Sequence, residues 1–170
     1  MCSPLHPPFF TLPPHFPTPR TNHEHADLFI YCGHGAGEKL CDAHRLRRFA
    51  VPAALLWGCS SGRLSALGVH DPAGMALSYL VAGAPFVLAN LWDVTDKDID
   101  KLSMACMQAV LEGDEKGRGN QSESKVEGEG EPSRTSVGGA LSGARGACKL
   151  AHAVGCAPVM YGLPCPVICG

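Results

Sequence analysis

Two short segments carry the residue types that nucleophilic hydrolysis needs. Tyr31-Cys32-Gly33-His34-Gly35 and Trp57-Gly58-Cys59-Ser60-Ser61-Gly62 each follow an apolar run, and each sets a reactive side chain beside glycine. A free thiol has a pKa near about 8.5 and attacks as the thiolate, so a cysteine nucleophile needs a base. An imidazole can take the thiol proton and return it to a leaving amine. Cys59 is therefore the candidate nucleophile and His34 the candidate base. The Gly35 and Cys59 N–H groups form a candidate oxyanion hole, worth roughly 2.7–4 kcal/mol per donor in comparable sites. The plainer alternative is packing, because a buried cysteine behaves as a small hydrophobe and a histidine after a strand is often a satisfied turn residue. Two such strand ends, both flanked by glycine and about one strand–helix unit apart, favour chemistry. A zinc site from Cys32, His34, Cys41 and His44 lacks a standard ligand spacing. The expectation is no metal and no cofactor.

The elements that would position these residues can be read from the hydrophobic pattern. Leu28-Phe29-Ile30-Tyr31-Cys32, Ala53-Ala54-Leu55-Leu56-Trp57 and Phe86-Val87-Leu88-Ala89 are short apolar runs of the kind that form buried strands. Residues 39–49 are compatible with a helix. Residues 72–82 read as a second helix, with Asp71 at the cap, Pro72 in the first turn and Gly83 past the end. Residues 95–111 read as a long amphipathic helix that buries Ile99, Leu102, Met107, Val110 and Leu111. A glycine-containing helix over 139–153 and an edge strand over 157–161 complete the set. Strands alternating with helices predict an α/β fold, a mostly parallel sheet with helices on both faces. In such a sheet ligands bind beyond the carboxyl ends of the strands. Neighbouring strands lie about 4.8 Å apart, so adjacency of the first two would place His34 and Cys59 side by side.

Composition sets the outer limits. The chain has 170 residues, 45% hydrophobic and 18% charged, which suits a folded domain. A net charge of −2 offers no footprint for nucleic acid or an anionic membrane surface. No apolar run reaches transmembrane length, and prolines interrupt the N-terminal region, so neither a membrane span nor a signal peptide is expected. Nine cysteines without a secretory signal read as mostly reduced thiols. The expected domains are a Pro/His-rich tail over 1–26, a catalytic core over 27–111, a low-complexity linker or insertion over 112–137, and a closing helix and strand over 138–170. Residues 112–136 hold seven acidic and four basic residues, without apolar periodicity.

Five stretches resemble one family in collinear order. Asp27 to Gly35 is similar to the histidine motif of the separases, and Leu55 to Gly62 to their nucleophile motif. Asp71-Pro72-Ala73-Gly74 with Tyr79 to Pro85 is similar to the stretch that follows. Asn90 to Asp100, reading Asn-Leu-Trp-Asp-Val-Thr-Asp-Lys-Asp-Ile-Asp, is the most diagnostic segment. Ala147 to Leu150 and Ala157 to Pro164 resemble the final motif. The resemblance implies a caspase-like sheet, incomplete here at its N-terminal side, and a Cys–His dyad. It implies a cysteine endopeptidase that cuts the kleisin subunit of cohesin after arginine, in a Glu-x-x-Arg context, to release sister chromatids at anaphase. It further implies a securin-type inhibitor as partner, and residence in nucleus and cytoplasm with spindle association. An arginine substrate needs a carboxylate in its pocket. Asp93 or Asp100 is the candidate, with Trp92 and Ser60 as further substrate-binding residues. Asp96 is better explained by the helix dipole. Cys32 stands where the family has an aromatic. Two alternatives remain: a truncated, inactive fragment that at most binds a partner, and a related caspase-like peptidase with another substrate.

Overall fold

Two strands are buried on both faces, and they fix the architecture. In the computed structural model, which describes residues 28–118 and 136–163, these are β2 (Ala53–Leu56) and β5 (Phe86–Asn90). β1 (Leu28–Tyr31) pairs parallel with β2, β2 pairs parallel with β5, and β6 (Pro158–Gly162) pairs antiparallel with β5. The sheet order is β1-β2-β5-β6. The predicted adjacency of the first two strands therefore holds. The outer edge of β1 carries no partner strand among the described residues.

Alternation along the strands sends side chains to two separate cores. Ala53, Leu55, Trp57, Phe86 and Leu88 face α3 (Asp96–Arg118) and α4 (Val137–Ala144). Ala54, Leu56, Val87 and Ala89 face Leu46 of α1 (Ala43–Leu46) and Met75, Ala76 and Tyr79 of α2 (Met75–Val81). Helices thus cover both faces, as the pattern predicted. No helix among the described residues is long and apolar enough to cross a membrane.

Several boundaries differ from the sequence reading. Asp71 and Pro72 do not begin a helix. They lie in β4 (His70–Ala73), which pairs with β3 (Ser65–Leu67) in an exposed hairpin, and Gly74 caps α2 instead. The 39–49 helix shrinks to α1, where the Asp42 carboxylate accepts from the His44 and Arg45 amides. Cys32 lies just past β1 and is exposed. α3 passes the expected end at 111 and runs to Arg118. Its buried stripe is Ile99, Leu102, Cys106 and Val110, while Leu111 is exposed, one position out of phase. The 139–153 helix breaks into α4, a 3-10 turn over Arg145–Ala147 and a π turn over Ala151–Gly155. The expected tail, most of the expected linker and residues 164–170 lie outside the described residues.

Candidate active site

Beyond β2 the chain turns sharply, and almost every group in the turn is bonded. Ser60 adopts φ 51, a left-handed conformation uncommon outside glycine. Its N–H donates to the Trp92 carbonyl at 3.1 Å and its hydroxyl to Asp93 Oδ1 at 2.6 Å. Buried Ser61 donates to the Leu56 carbonyl at 2.8 Å and accepts the Asn90 N–H at 3.0 Å. Asn90 Nδ2 donates to the carbonyls of Trp57 and Gly58, both at 3.0 Å. The Gly62 N–H reaches the Asn90 carbonyl at 2.8 Å, and the Tyr161 hydroxyl of β6 reaches the Gly62 carbonyl at 2.8 Å. Cys59 sits half-buried within this frame, its thiol 3.3 Å from the Val94 carbonyl.

The loop after β1 is held from below. Tyr31 donates to the His34 carbonyl at 3.0 Å, and buried Tyr79 of α2 donates to the Ala36 carbonyl at 3.1 Å. Burial pushes the Tyr79 phenol well above its ordinary range, so it stays a donor. Glu38 accepts the Ala36 N–H at 2.9 Å. Gly35, at φ 69, lies against that carboxylate, where an added Cβ would come within 2.6 Å of Glu38 Oε2. The His34 side chain is exposed, and no group among the described residues hydrogen-bonds its ring.

The two loops meet at Gly58. A Cβ there would overlap the carbonyl oxygen of Gly35 and stand 2.5 Å from that of Gly33 and 3.0 Å from the Gly35 nitrogen. The histidine loop is thus pressed against the residue that precedes Cys59. The N–H groups of Gly35 and Cys59 find no acceptor among the described residues.

The aspartates beyond β5 separate into four roles. The Asp93 carboxylate receives the Ser60 hydroxyl. Asp96 is exposed in the first turn of α3. Asp98 is buried and accepts the Leu150 N–H at 2.9 Å, with Lys101 at 3.9 Å, while the Cys148 thiol donates to its carbonyl. Asp100 is exposed and close to the end of β1. There partial loss of solvent around the thiol first, and the Asp100 charge second, push the Cys32 thiol up, although the residue as a whole is exposed. Trp92 donates its indole N–H to the Ala153 carbonyl of the π turn at 2.6 Å, and the residue is 42% exposed. The four residues weighed as zinc ligands do not gather. Cys41 is buried with its thiol toward the Asp42 carbonyl, His44 lies beside Arg48, and no metal-holding cluster occurs among the described residues.

Sequence reasoning missed Asn90, Ser61, Glu38 and Asp98. Asn90 carried a signal, because a polar residue ending a fully apolar strand must find partners.

A mostly parallel sheet, with a histidine–glycine loop and a cysteine loop touching beyond neighbouring strands, defines the caspase-like class. Comparison with known proteins narrows that class. The family described as "Separin, protease domain" matches residues 14–99. The separin of Mus musculus is 42% identical over 139 residues, covering 81% of this chain and 6% of that protein. The separin of Saccharomyces cerevisiae is 38% identical over 150 residues, covering 83% and 8%. The crystal structure of the Saccharomyces cerevisiae separase–securin complex at 3.0 Å superposes with a TM-score of 0.66 at 38% identity, over 82% of this chain and 8% of that one. This chain belongs to the separase protease-domain family. It spans less than a tenth of the length of these relatives.

Proposed function

We propose that the chain is a separase-type cysteine endopeptidase centre. His34 takes the Cys59 proton, and the thiolate attacks the scissile carbonyl carbon. The negative oxygen is received by the Gly35 and Cys59 N–H groups. The proton then passes from His34 to the leaving amine as the C–N bond breaks. Water, activated by the same imidazole, hydrolyses the thioester and frees the enzyme. The contact of the histidine loop with Gly58 supports this reading, because it brings the backbone on either side of His34 against the residue that precedes Cys59. For an arginine substrate the better carboxylate is Asp100. It is exposed at the loop side, whereas Asp93 already receives the Ser60 hydroxyl. Trp92 and Ser60, joined by the Ser60 N–H to the Trp92 carbonyl, are the further residues proposed to bind substrate.

The substrate is the kleisin subunit of cohesin, cut after arginine in a Glu-x-x-Arg context so that sister chromatids part at anaphase. The site acts in the nucleus and cytoplasm of dividing cells, held in check by a securin-type inhibitor. A securin partner is supported by the separase–securin complexes that this chain superposes on. A second reading has one observation in its favour. The outer edge of β1 is unpaired among the described residues, and an open edge suits a fragment that needs a further strand before it works. A fluorogenic Glu-x-x-Arg peptide separates the two. Turnover by the chain, lost in Cys59→Ser, is the expected result. A folded protein without turnover overturns the claim of activity and leaves the fragment.

A further inference from the structure

Asn90 belongs neither to the dyad nor to the oxyanion donors, yet it is bonded on both sides of Cys59. It is the last residue of β5 and is fully buried. Its Nδ2 holds the carbonyls of Trp57 and Gly58, and its own N–H and carbonyl hold Ser61 and Gly62. Two carbonyl oxygens facing one amide also settle which end of the side chain is nitrogen. Its Oδ1 is buried and has no partner among the described residues. An unpartnered buried acceptor weakens a fold and offsets part of what the two Nδ2 bonds contribute, so stability is only part of the reason for an amide here.

The geometry gives another reason. The Gly58 carbonyl and the Cys59 N–H belong to one planar peptide and point in opposite directions. Holding the oxygen on Asn90, at 3.0 Å against 3.3 Å for the Ser61 N–H that shares it, therefore turns the Cys59 N–H to the other side, where no described group accepts it. Glycine at 58 leaves that peptide unusual freedom to turn over unless something fixes it. We infer that Asn90 is a positioning residue that locks the Gly58–Cys59 peptide plane and keeps the Cys59 N–H presented as an oxyanion donor. This rests on the reading of Cys59 as nucleophile.

The test sets Asn90→Ser beside wild type with two probes of Cys59. An arginine-ended peptide aldehyde adds the thiol across its C=O, and the resulting oxygen needs the donor. Iodoacetamide forms a C–S bond with loss of iodide and builds no such oxygen. Asn90→Ser should keep cooperative thermal unfolding, with KM and alkylation rate within about twofold of wild type. Its kcat should fall roughly 100- to 1000-fold, as expected for one lost donor, and aldehyde affinity should fall with it. Unchanged kcat in the folded variant, or an alkylation rate that falls as far as kcat, overturns the inference. Asn90→Leu, close in volume and without donors, repeats the comparison if Asn90→Ser does not fold. If neither folds, or if wild type itself neither turns over peptide nor binds the aldehyde, amide exchange in ¹⁵N-labelled wild type decides. Slow exchange at Asn90 Nδ2 with fast exchange at the Cys59 N–H supports the lock, and a protected Cys59 N–H overturns it. Wild type without turnover would sink the functional reading separately from the lock.

Discussion

A side chain at position 58 has nowhere to go. The carbonyls of Gly33 and Gly35 occupy the space that a Cβ would fill, and these are backbone atoms that cannot swing aside. Gly58→Ala must therefore drive the histidine loop away from the cysteine turn. A misplacement of about 1 Å can cost about a hundredfold in rate, so kcat/KM on the arginine peptide should fall by at least that much. Iodoacetamide should still alkylate Cys59, because the thiol keeps its own turn. Wild-type kcat/KM in Gly58→Ala would show that the contact does not set the dyad. At this scale the two candidate residues, His34 and Cys59, stood out in the sequence because each ends an apolar run beside glycine, and the structure puts their loops in contact. Asn90 and Asp98 were not assigned these roles. Their partners lie 32 and 33 residues away for the Asn90 amide and 52 residues away for Asp98, beyond any local pattern.

Elements that look secondary to the site hold its walls. The segment after α4 returns beside β5 through a few specific bonds. Arg145 donates to the carbonyls of Gly155 and Pro158, and the Leu91 N–H donates to the Ala157 carbonyl. Asp98 fastens the same segment to α3 by accepting the Leu150 N–H, and the π turn beyond receives Trp92. Asp98→Ala removes a charged acceptor from a buried place and leaves that N–H unpaired, which should cost about 1–3 kcal/mol. Urea unfolding should show the loss, and KM should rise as the support under Trp92 loosens. Equal midpoints in both proteins would refute the role of Asp98 as a fastener. The strands were legible because β2 and β5 are continuous apolar runs ended by polar or glycine residues. The β3–β4 hairpin was not, since it is exposed throughout and has no apolar alternation to read. Its Asp71-Pro72 mimics a helix start. The broken helix after α4 was hidden for a related reason. Tertiary bonds from Arg145 and Trp92, rather than local propensity, shape the 3-10 and π turns.

Across the whole molecule, the two cores share a chemical liability at high pH. Cys41 is buried on one face of the sheet and Cys106 and Cys148 on the other, each with its thiol pushed up chiefly by burial. Cys106 shows the largest rise among them, from 9.0 to about 11. A thiol raised in the fold is held protonated there after the unfolded chain has begun to release its proton. The stability linked to that proton is complete below about pH 9. It is lost as pH climbs through the folded value near 11. The urea midpoint should therefore hold steady from pH 7 to pH 8, then fall progressively from pH 9 to pH 11. Cys106→Ala removes the titrating group, so its midpoint should start lower, from the lost packing, and fall less steeply over the same window. Parallel slopes in the two proteins would mean that Cys106 does not set the alkaline limit. The same burial predicts an order of labelling at neutral pH, with half-buried Cys59 modified in the native state and Cys106 only on unfolding. Cys32 and Cys156 are exposed as well, so Cys59 reactivity is followed by mapping the label to its own peptide in the native protein, where Cys106 stays unlabelled.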